Sequence, residues 1–275
     1  MFTIGCHLSI SKGFYKSAQE AGSIGANTFQ FFTRNPRGGK AKAIDREDIS
    51  KCKTFIRENS FGKLFAHASY TMNLCSDKEQ TRKFALEILK DDLERLKMMP
   101  DCYYIFHPGA HVGQGVEKGT QLIVKALNES TQINPDQFIL LEGMSGKGTE
   151  IGKSFEELQT IIMHSNSEKI GVCLDTCHLY SAGYDIVGQL EAVLDNFDKI
   201  IGLSKLKAIH LNDSKTEFNS NKDRHEQIGK GSIGLEAFRN IINHPNLKEL
   251  PFNLETPLTP KEHAKEIDLL KHLLN

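Results

Sequence analysis

Nine side chains in this chain form a candidate set of metal ligands, and six of them close apolar runs. His67 closes L-F-A-H (64–67), His107 closes Y-Y-I-F-H (103–107) and Glu142 closes F-I-L-L-E (138–142). Asp175 closes G-V-C-L-D (171–175), His210 closes L-K-A-I-H (206–210) and Glu255 closes P-F-N-L-E (251–255). His178 follows Asp175 by three positions, and Asp223 and His225 are separated by one residue. In an extended segment that last spacing points both side chains to one side, which suits two ligands on one ion. Five imidazoles and four carboxylates form a borderline donor set that suits zinc, manganese or iron better than magnesium. At roughly three protein ligands per open catalytic site, with one carboxylate bridging, nine ligands imply two or three ions. Ions roughly 3.5–4 Å apart suit phosphoryl-transfer hydrolysis, where they supply a nucleophile at neutral pH and stabilise both entering and leaving oxygens.

Such side chains must be brought together by elements. Two further β-rich runs, T-I-G-C-H (3–7) and N-T-F-Q-F-F (27–32), raise the number of short apolar runs to eight. Amphipathic stretches separate them. The clearest covers 77–98, with Phe84, Leu86, Ile88, Leu89, Leu93 and Leu96 as its apolar stripe. Ser154, with Glu157 three residues on, has capping-box spacing, and Thr259-Pro260 has the form of a helix start. Strands alternating with helices predict right-handed βαβ units and a parallel sheet. Eight units predict one (β/α)8 TIM barrel over 1–275, as a single domain. The doubly wound sheet fits the alternation but not the count as well. In a barrel the loops after the strands open on one face, so the strand-end acids and histidines converge on its mouth. Crowded together they would repel or desolvate one another unless cations compensate.

The composition is that of an ordinary globular protein, 39% hydrophobic and 25% charged. No apolar run approaches the roughly 18–20 residues needed to span a bilayer, and M-F-T-I-G-C-H-L-S has no signal-peptide pattern. We therefore expect a cytoplasmic protein with no membrane partner, associated with the nucleoid if bacterial. Cys6, Cys52, Cys75, Cys102, Cys173 and Cys177 are irregularly spaced without a C-x-x-C, and we expect reduced thiols. A net charge of -1 excludes a surface that is basic throughout, but T-R-N-P-R-G-G-K-A-K (33–42) carries four cations and no acid. A local field of that kind is enough to guide a polyanion. His164, His244, His263 and His272 lie in or beside predicted helices and are expected at the surface, whereas His7 and His111 lie close to the ligand set without joining it.

The motifs F-H-P-G-A-H (106–111), G-V-C-L-D-T-C-H-L-Y-S-A-G-Y-D (171–185), H-L-N-D-S-K (210–215) and D-R-H-E-Q-I-G-K-G-S-I-G (223–234) resemble those of endonuclease IV, the zinc-dependent class of apurinic/apyrimidinic endonucleases. The likeness runs from I-G-C-H-L-S to N-L-E-T, essentially the whole chain. It implies a TIM barrel with three Zn2+ ions, Mn2+ or Fe2+ replacing some of them. His67 and His107 would hold one ion, Asp175, His210 and Glu255 a second, and His178, Asp223 and His225 the third, with Glu142 and a hydroxide bridging the first two. The implied reaction is hydrolysis of the phosphodiester 5′ to an abasic site in duplex DNA, leaving a 3′-hydroxyl and a 5′-deoxyribose phosphate. Removal of 3′ blocking groups is implied as well. Glu142 and Glu255 would orient the nucleophile, and Arg37 and Tyr70 would enter the minor groove around the flipped-out nucleotide. A missing base lowers the cost of extruding its sugar. Lys12, Arg34, Lys215, Lys222, Arg224 and Lys230 lie on predicted mouth loops, within reach of phosphate. No obligate protein partner is expected, and a monomer suffices for a short duplex.

The chain departs from the family in two places. Where the family commonly reads N-T-A-G-Q-G after the bridging Glu, this chain has Gly143-Met144-Ser145-Gly146-Lys147-Gly148. The loop remains glycine-rich but exchanges an Asn for Gly143 and gains Lys147. No bulky residue follows Arg37. The nearest alternative function is a metal-dependent sugar or sugar-phosphate isomerase on the same barrel, and another is a metal-stabilised DNA-binding protein without turnover. The His178, Asp223 and His225 set distinguishes the nuclease, because a third ion has no role in simple isomerisation.

Overall fold

The computed structural model describes residues 1–275 and consists of eight parallel strands surrounded by helices. In chain order the strands are β1 (Thr3–Cys6), β2 (Gln30–Phe32), β3 (Leu64–His67), β4 (Cys102–Phe106), β5 (Ile139–Glu142), β6 (Ile170–Asp175) and β7 (Leu206–His210). A two-residue antiparallel pair, β8 (Asp213–Ser214) with β9 (His225–Glu226), precedes the last barrel strand, β10 (Pro251–Leu254). Neighbours run β1-β10-β7-β6-β5-β4-β3-β2, all parallel. The ring closes between its two ends through a bridge at His7 and Gln30, where Leu8 N donates to Gln30 O at 2.8 Å. The helices are α1 (Phe14–Ser23), α2 (Arg46–Glu58), α3 (Glu79–Leu96), α4 (Val116–Ser130), α5 (Phe155–His164), α6 (Thr176–Ala182), α7 (Leu190–Ile200), α8 (Leu235–Asn243) and α9 (Pro260–His272). None is long and apolar enough to cross a membrane.

The strand period of two decides what enters the barrel. Phe65, Ile105, Leu140, Cys173 and Ala208 form one small buried cluster inside the ring. Two residues further on, each strand must present its next inward side chain, and those are His67, His107, Glu142, Asp175 and His210. The intervening Leu64, Ala66, Tyr104, Phe106, Ile139, Leu141, Leu174 and Ile209 point outward and join the larger core beneath the helices. On β1 the inward position before His7 is Gly5, where an added Cβ would lie 2.1 Å from Thr28 O. Only glycine fits that contact between strands.

β2 begins at Gln30, later than the expected 27, because Asn27 and Thr28 use their side chains as bonding groups. Asn27 Oδ1 accepts from Ile4 N at 2.8 Å and Thr28 Oγ1 donates to Lys63 O at 2.6 Å. Ser154 Oγ accepts from Glu157 N at 3.3 Å as the capping box predicts, but Glu157 turns to Gly152 N (2.7 Å) and Lys153 N (3.1 Å) instead of completing the box. Pro260 opens α9, with Thr259 N donating to Glu262 at 2.9 Å. All six cysteines are free and buried. Two histidines expected at the surface are buried. His244 Nε2 lies 2.9 Å from Glu191, and His263 Nδ1 lies 3.1 Å from Glu266. Each is covered by neighbouring residues and meets a carboxylate, Glu191 on α7 for His244 and Glu266 on α9 for His263.

Candidate metal centre

At the carboxyl ends of the strands the nine candidate ligands gather into groups that share members. His67, His107 and Glu142 form one group, Glu142, Asp175, His210 and Glu255 another, and His178, Asp223 and His225 a third, the donor atoms within each lying within 4.8 Å of one another. Glu142 divides its two oxygens between the first two groups. Its Oε2 lies 3.1 Å from His67 Nε2 and 3.2 Å from His107 Nε2, while Oε1 lies 3.1 Å from His210 Nδ1. Asp223 Oδ1 lies 3.3 Å from His178 Nε2 and 3.4 Å from His225 Nε2, and Asp175 Oδ2 is 3.5 Å from that same His225 nitrogen.

These donors fit metal ions on two observations. Neutral imidazole has one N–H and one lone pair, and the partner of one nitrogen fixes the role of the other. Nδ1 of His67, His178 and His225 each faces a backbone carbonyl, at Ala68 (2.7 Å), Gly143 (3.0 Å) and Glu255 (3.3 Å), and must donate to it. Nε2 is then the lone-pair atom, and it faces carboxylate oxygens that can only accept. Nε2 of His178 and Nε2 of His225 are buried without a hydrogen-bond partner. Shared cations satisfy both sides of such contacts.

Electrostatics within the site is strongly coupled. Burial would push the Glu142 carboxyl up, but His210 and His107 beside it hold it well below the usual range. Burial is likewise overcome at Glu255, which His210 helps bring down to about 2, and at Asp223, which His178 holds below its ordinary value. The imidazoles move the other way. Burial disfavours their charge, yet Asp175 and Asp223 hold His178 well above its ordinary value, and Glu142 raises His107. His210 is also held well above its usual value, against burial, by Cys173, Glu255 and Glu142. In the metal-free protein, protons take the part that cations would play.

Local structure aims each ligand. Asp175 caps α6 by accepting from His178 N at 2.9 Å, so one carboxylate ends β6 and starts the turn that carries His178. Asn212 donates to Asp175 Oδ2 at 2.7 Å and accepts from Glu255 N at 2.7 Å, tying β6 to the end of β10. Asp213 braces the loop that carries Asp223 and His225. It accepts from Gly229 N (2.9 Å), Gly231 N (3.0 Å) and Ile233 N (3.0 Å), while β8 pairs with β9. Gln30 reaches both His210 and Glu255. Asn212, Asp213 and Gln30 are absent from the nine candidates. For Gln30 the available signal is its alternation with the outward Phe29 and Phe31 in the run at 27–32. For the other two it is the H-L-N-D run after β7.

His7 and His111 stay outside the three groups. Cys177 lies near Asp175 and His225, but burial pushes its thiol up to about 12 and it faces Arg224 O at 3.6 Å. Tyr70 is 62% exposed and stands over the site, its ring 6.0 Å from His107 and 5.0 Å from Phe32. Arg37 is exposed on the loop after β2, its backbone N–H donating to Asn35 Oδ1 at 3.0 Å. Lys12, Lys215, Lys222, Arg224 and Lys230 are exposed. Arg34 is not available to phosphate. It is buried against Asp92, with Nε 3.1 Å from Oδ1, and also bonds Asp91 (2.8 Å) and Gly39 O (2.7 Å). It anchors the cationic loop from beneath instead of extending from it.

Residues 18–273 match the model of the xylose isomerase-like TIM barrel family. The chain is 58% identical over 276 residues to a probable endonuclease 4 of Clostridium beijerinckii, covering 99% of each. It is similar to the crystal structure of endonuclease IV from Thermus thermophilus, with a TM-score of 0.88, 33% identity and 98% of both chains covered. A D-tagatose 3-epimerase-like protein superposes with a TM-score of 0.71 over 98% of this chain and 96% of that one, at 18% identity, a likeness of fold alone.

Proposed function

The chain belongs to the endonuclease IV family, and from that premise we propose that it hydrolyses the phosphodiester 5′ to abasic sites in duplex DNA and uses three zinc ions to do so. Relatives named as endonucleases support a DNA-cleaving repair enzyme in general. The finer reading rests on one observation: the mouth holds three ligand groups, including His178, Asp223 and His225, and not only the single group around Glu142, Asp175, His210 and Glu255. A sugar isomerase on this barrel would leave the third group without a role. Zinc in these groups would supply Lewis acidity toward phosphodiester oxygens and a nucleophile at neutral pH.

The chain's own residues do the rest. Glu142 and Glu255 are held ionised and orient the attacking water. Tyr70 and Arg37 occupy the rim, where they fill the space around an extruded abasic sugar. Extrusion is cheapest when no base has to be unpaired or unstacked, so a rim that admits a bare sugar selects the lesion. The products are a 3′-hydroxyl and a 5′-deoxyribose phosphate. The same site removes 3′-phosphate and other 3′ blocks, because a terminal phosphoester presents the same bond. Mn2+ or Fe2+ can replace zinc at some positions. The enzyme acts as a monomer on nucleoid DNA in the cytoplasm. A duplex carrying one abasic site, incubated without magnesium after brief EDTA treatment, should be incised 5′ to the lesion. Zinc-replete protein that leaves the duplex intact would refute the reading.

A further inference from the structure

Among the ligand imidazoles whose second nitrogen is bonded, His210 differs from the others. His67, His178 and His225 each use backbone carbonyls for that purpose. His210 instead places Nε2 2.7 Å from Oε1 of Gln30, a fully buried side chain 180 residues away in sequence. The other end of the same amide, Nε2, donates to Glu255 Oε1 and also lies 3.2 Å from His7 Nδ1.

The polarity of this chain of contacts is forced. An ionised carboxylate only accepts, so the amide nitrogen must face Glu255. Its oxygen then faces His210 and must accept, which places the His210 proton on Nε2. The lone pair is left on Nδ1, the atom 3.1 Å from Glu142 Oε1 and 3.5 Å from Glu255 Oε2. His7 Nδ1 must accept from the remaining amide hydrogen. We propose that Gln30 is the positioning residue of the Glu142, Asp175, His210 and Glu255 metal site: it fixes the His210 tautomer so that Nδ1 ligates, and it holds Glu255 in register with that nitrogen. The inference rests on the metal-centre reading above.

A neutral amide suits this place. A carboxylate could accept from His210 but would set like charge against Glu255, already one of several acids in the mouth. An apolar side chain would leave a buried N–H and a carboxylate oxygen unmatched. His7 completes the arrangement at the seam between β1 and β2, its ring 4.3 Å from that of Phe32. The seam that closes the barrel thereby carries the residue that orients the site.

The test uses zinc-loaded wild-type protein with 15N-labelled histidine. Long-range 1H–15N correlation should place the metal on His210 Nδ1 and the proton on Nε2, and ligation through Nε2 would overturn the proposal. The variant Gln30→Met removes both contacts at similar length. Its metal-free form should melt within a few degrees of the wild type, while chelator competition should find one of the zinc ions held roughly 10–100-fold more weakly. A folded variant with wild-type zinc affinity would sink the idea, and if the variant does not fold, the wild-type spectrum still decides. Protein that takes up no zinc in any form would instead overturn the metal-centre reading itself.

Discussion

A metal can displace a proton from His178, His210 or His107 only by competing with the carboxylates that hold it there. All three imidazoles sit above their ordinary value in the metal-free protein. A raised value means the proton stays on until higher pH, so near neutrality zinc must expel it before it can bind. Zinc uptake should therefore release protons and weaken as pH falls, by about tenfold per pH unit for each proton displaced. Isothermal titration in buffers of different ionisation enthalpy measures this directly, and uptake without proton release would contradict it. At this scale the sequence is most legible where chemistry and position coincide. His67, Glu142, Asp175 and His210 are titratable and close apolar runs, so parity alone sends them inward. Gln30 has the same parity, but a neutral amide does not stand out, and its partners His210 and Glu255 are contiguous with it only in the folded barrel. Arg34 misleads for the converse reason. Its charge suggests phosphate, and nothing near it in the sequence announces Asp92.

The element most dependent on such a distant partner is the loop after β2. Thr33 Oγ1 donates to Asp92 Oδ2 at 2.8 Å and Tyr104 OH donates to the same carboxylate at 3.0 Å, beside the Arg34 ion pair. Asp92 on α3 is fully buried, and its burial pushes the carboxyl up despite these donors. Removing one partner of a buried pair leaves an uncompensated charge and costs about 3–5 kcal/mol. Asp92→Ala should lose stability on that scale in denaturant melts and should weaken abasic-DNA binding as the loop carrying Arg37 loses its anchor. Zinc content should be retained, since Asp92 touches no ligand group. Stability equal to the wild type would show that Arg34 is satisfied in another way. Of the α3 stripe read from its spacing, Ile88, Leu89, Leu93 and Leu96 are buried, whereas Leu86 is half-buried and Phe84 is exposed. The place of Asp92 on that same buried face was not readable, because an acid in an amphipathic helix ordinarily marks the solvent side.

Across the whole molecule, eight βα units were countable from the alternation of runs, and the barrel follows from their number. What counting could not supply is closure, which here depends on Gly5 admitting Thr28 and on the bridge between His7 and Gln30. The proposed function divides the labour accordingly: strand ends would hold the metal ligands, and the loops above them would meet DNA. The double variant Arg37→Ala with Tyr70→Ala should therefore bind abasic duplex more weakly in fluorescence anisotropy while zinc content stays at the wild-type level. Unchanged binding would remove these two residues from the interface. The central claim is that the mouth holds three ions, and diffraction at the zinc absorption edge tests it most directly. Three anomalous peaks should appear, one against His67, His107 and Glu142, one against Glu142, Asp175, His210 and Glu255, and one against His178, Asp223 and His225. A single peak among Glu142, Asp175, His210 and Glu255, with the other groups bare in zinc-replete crystals, would contradict the account.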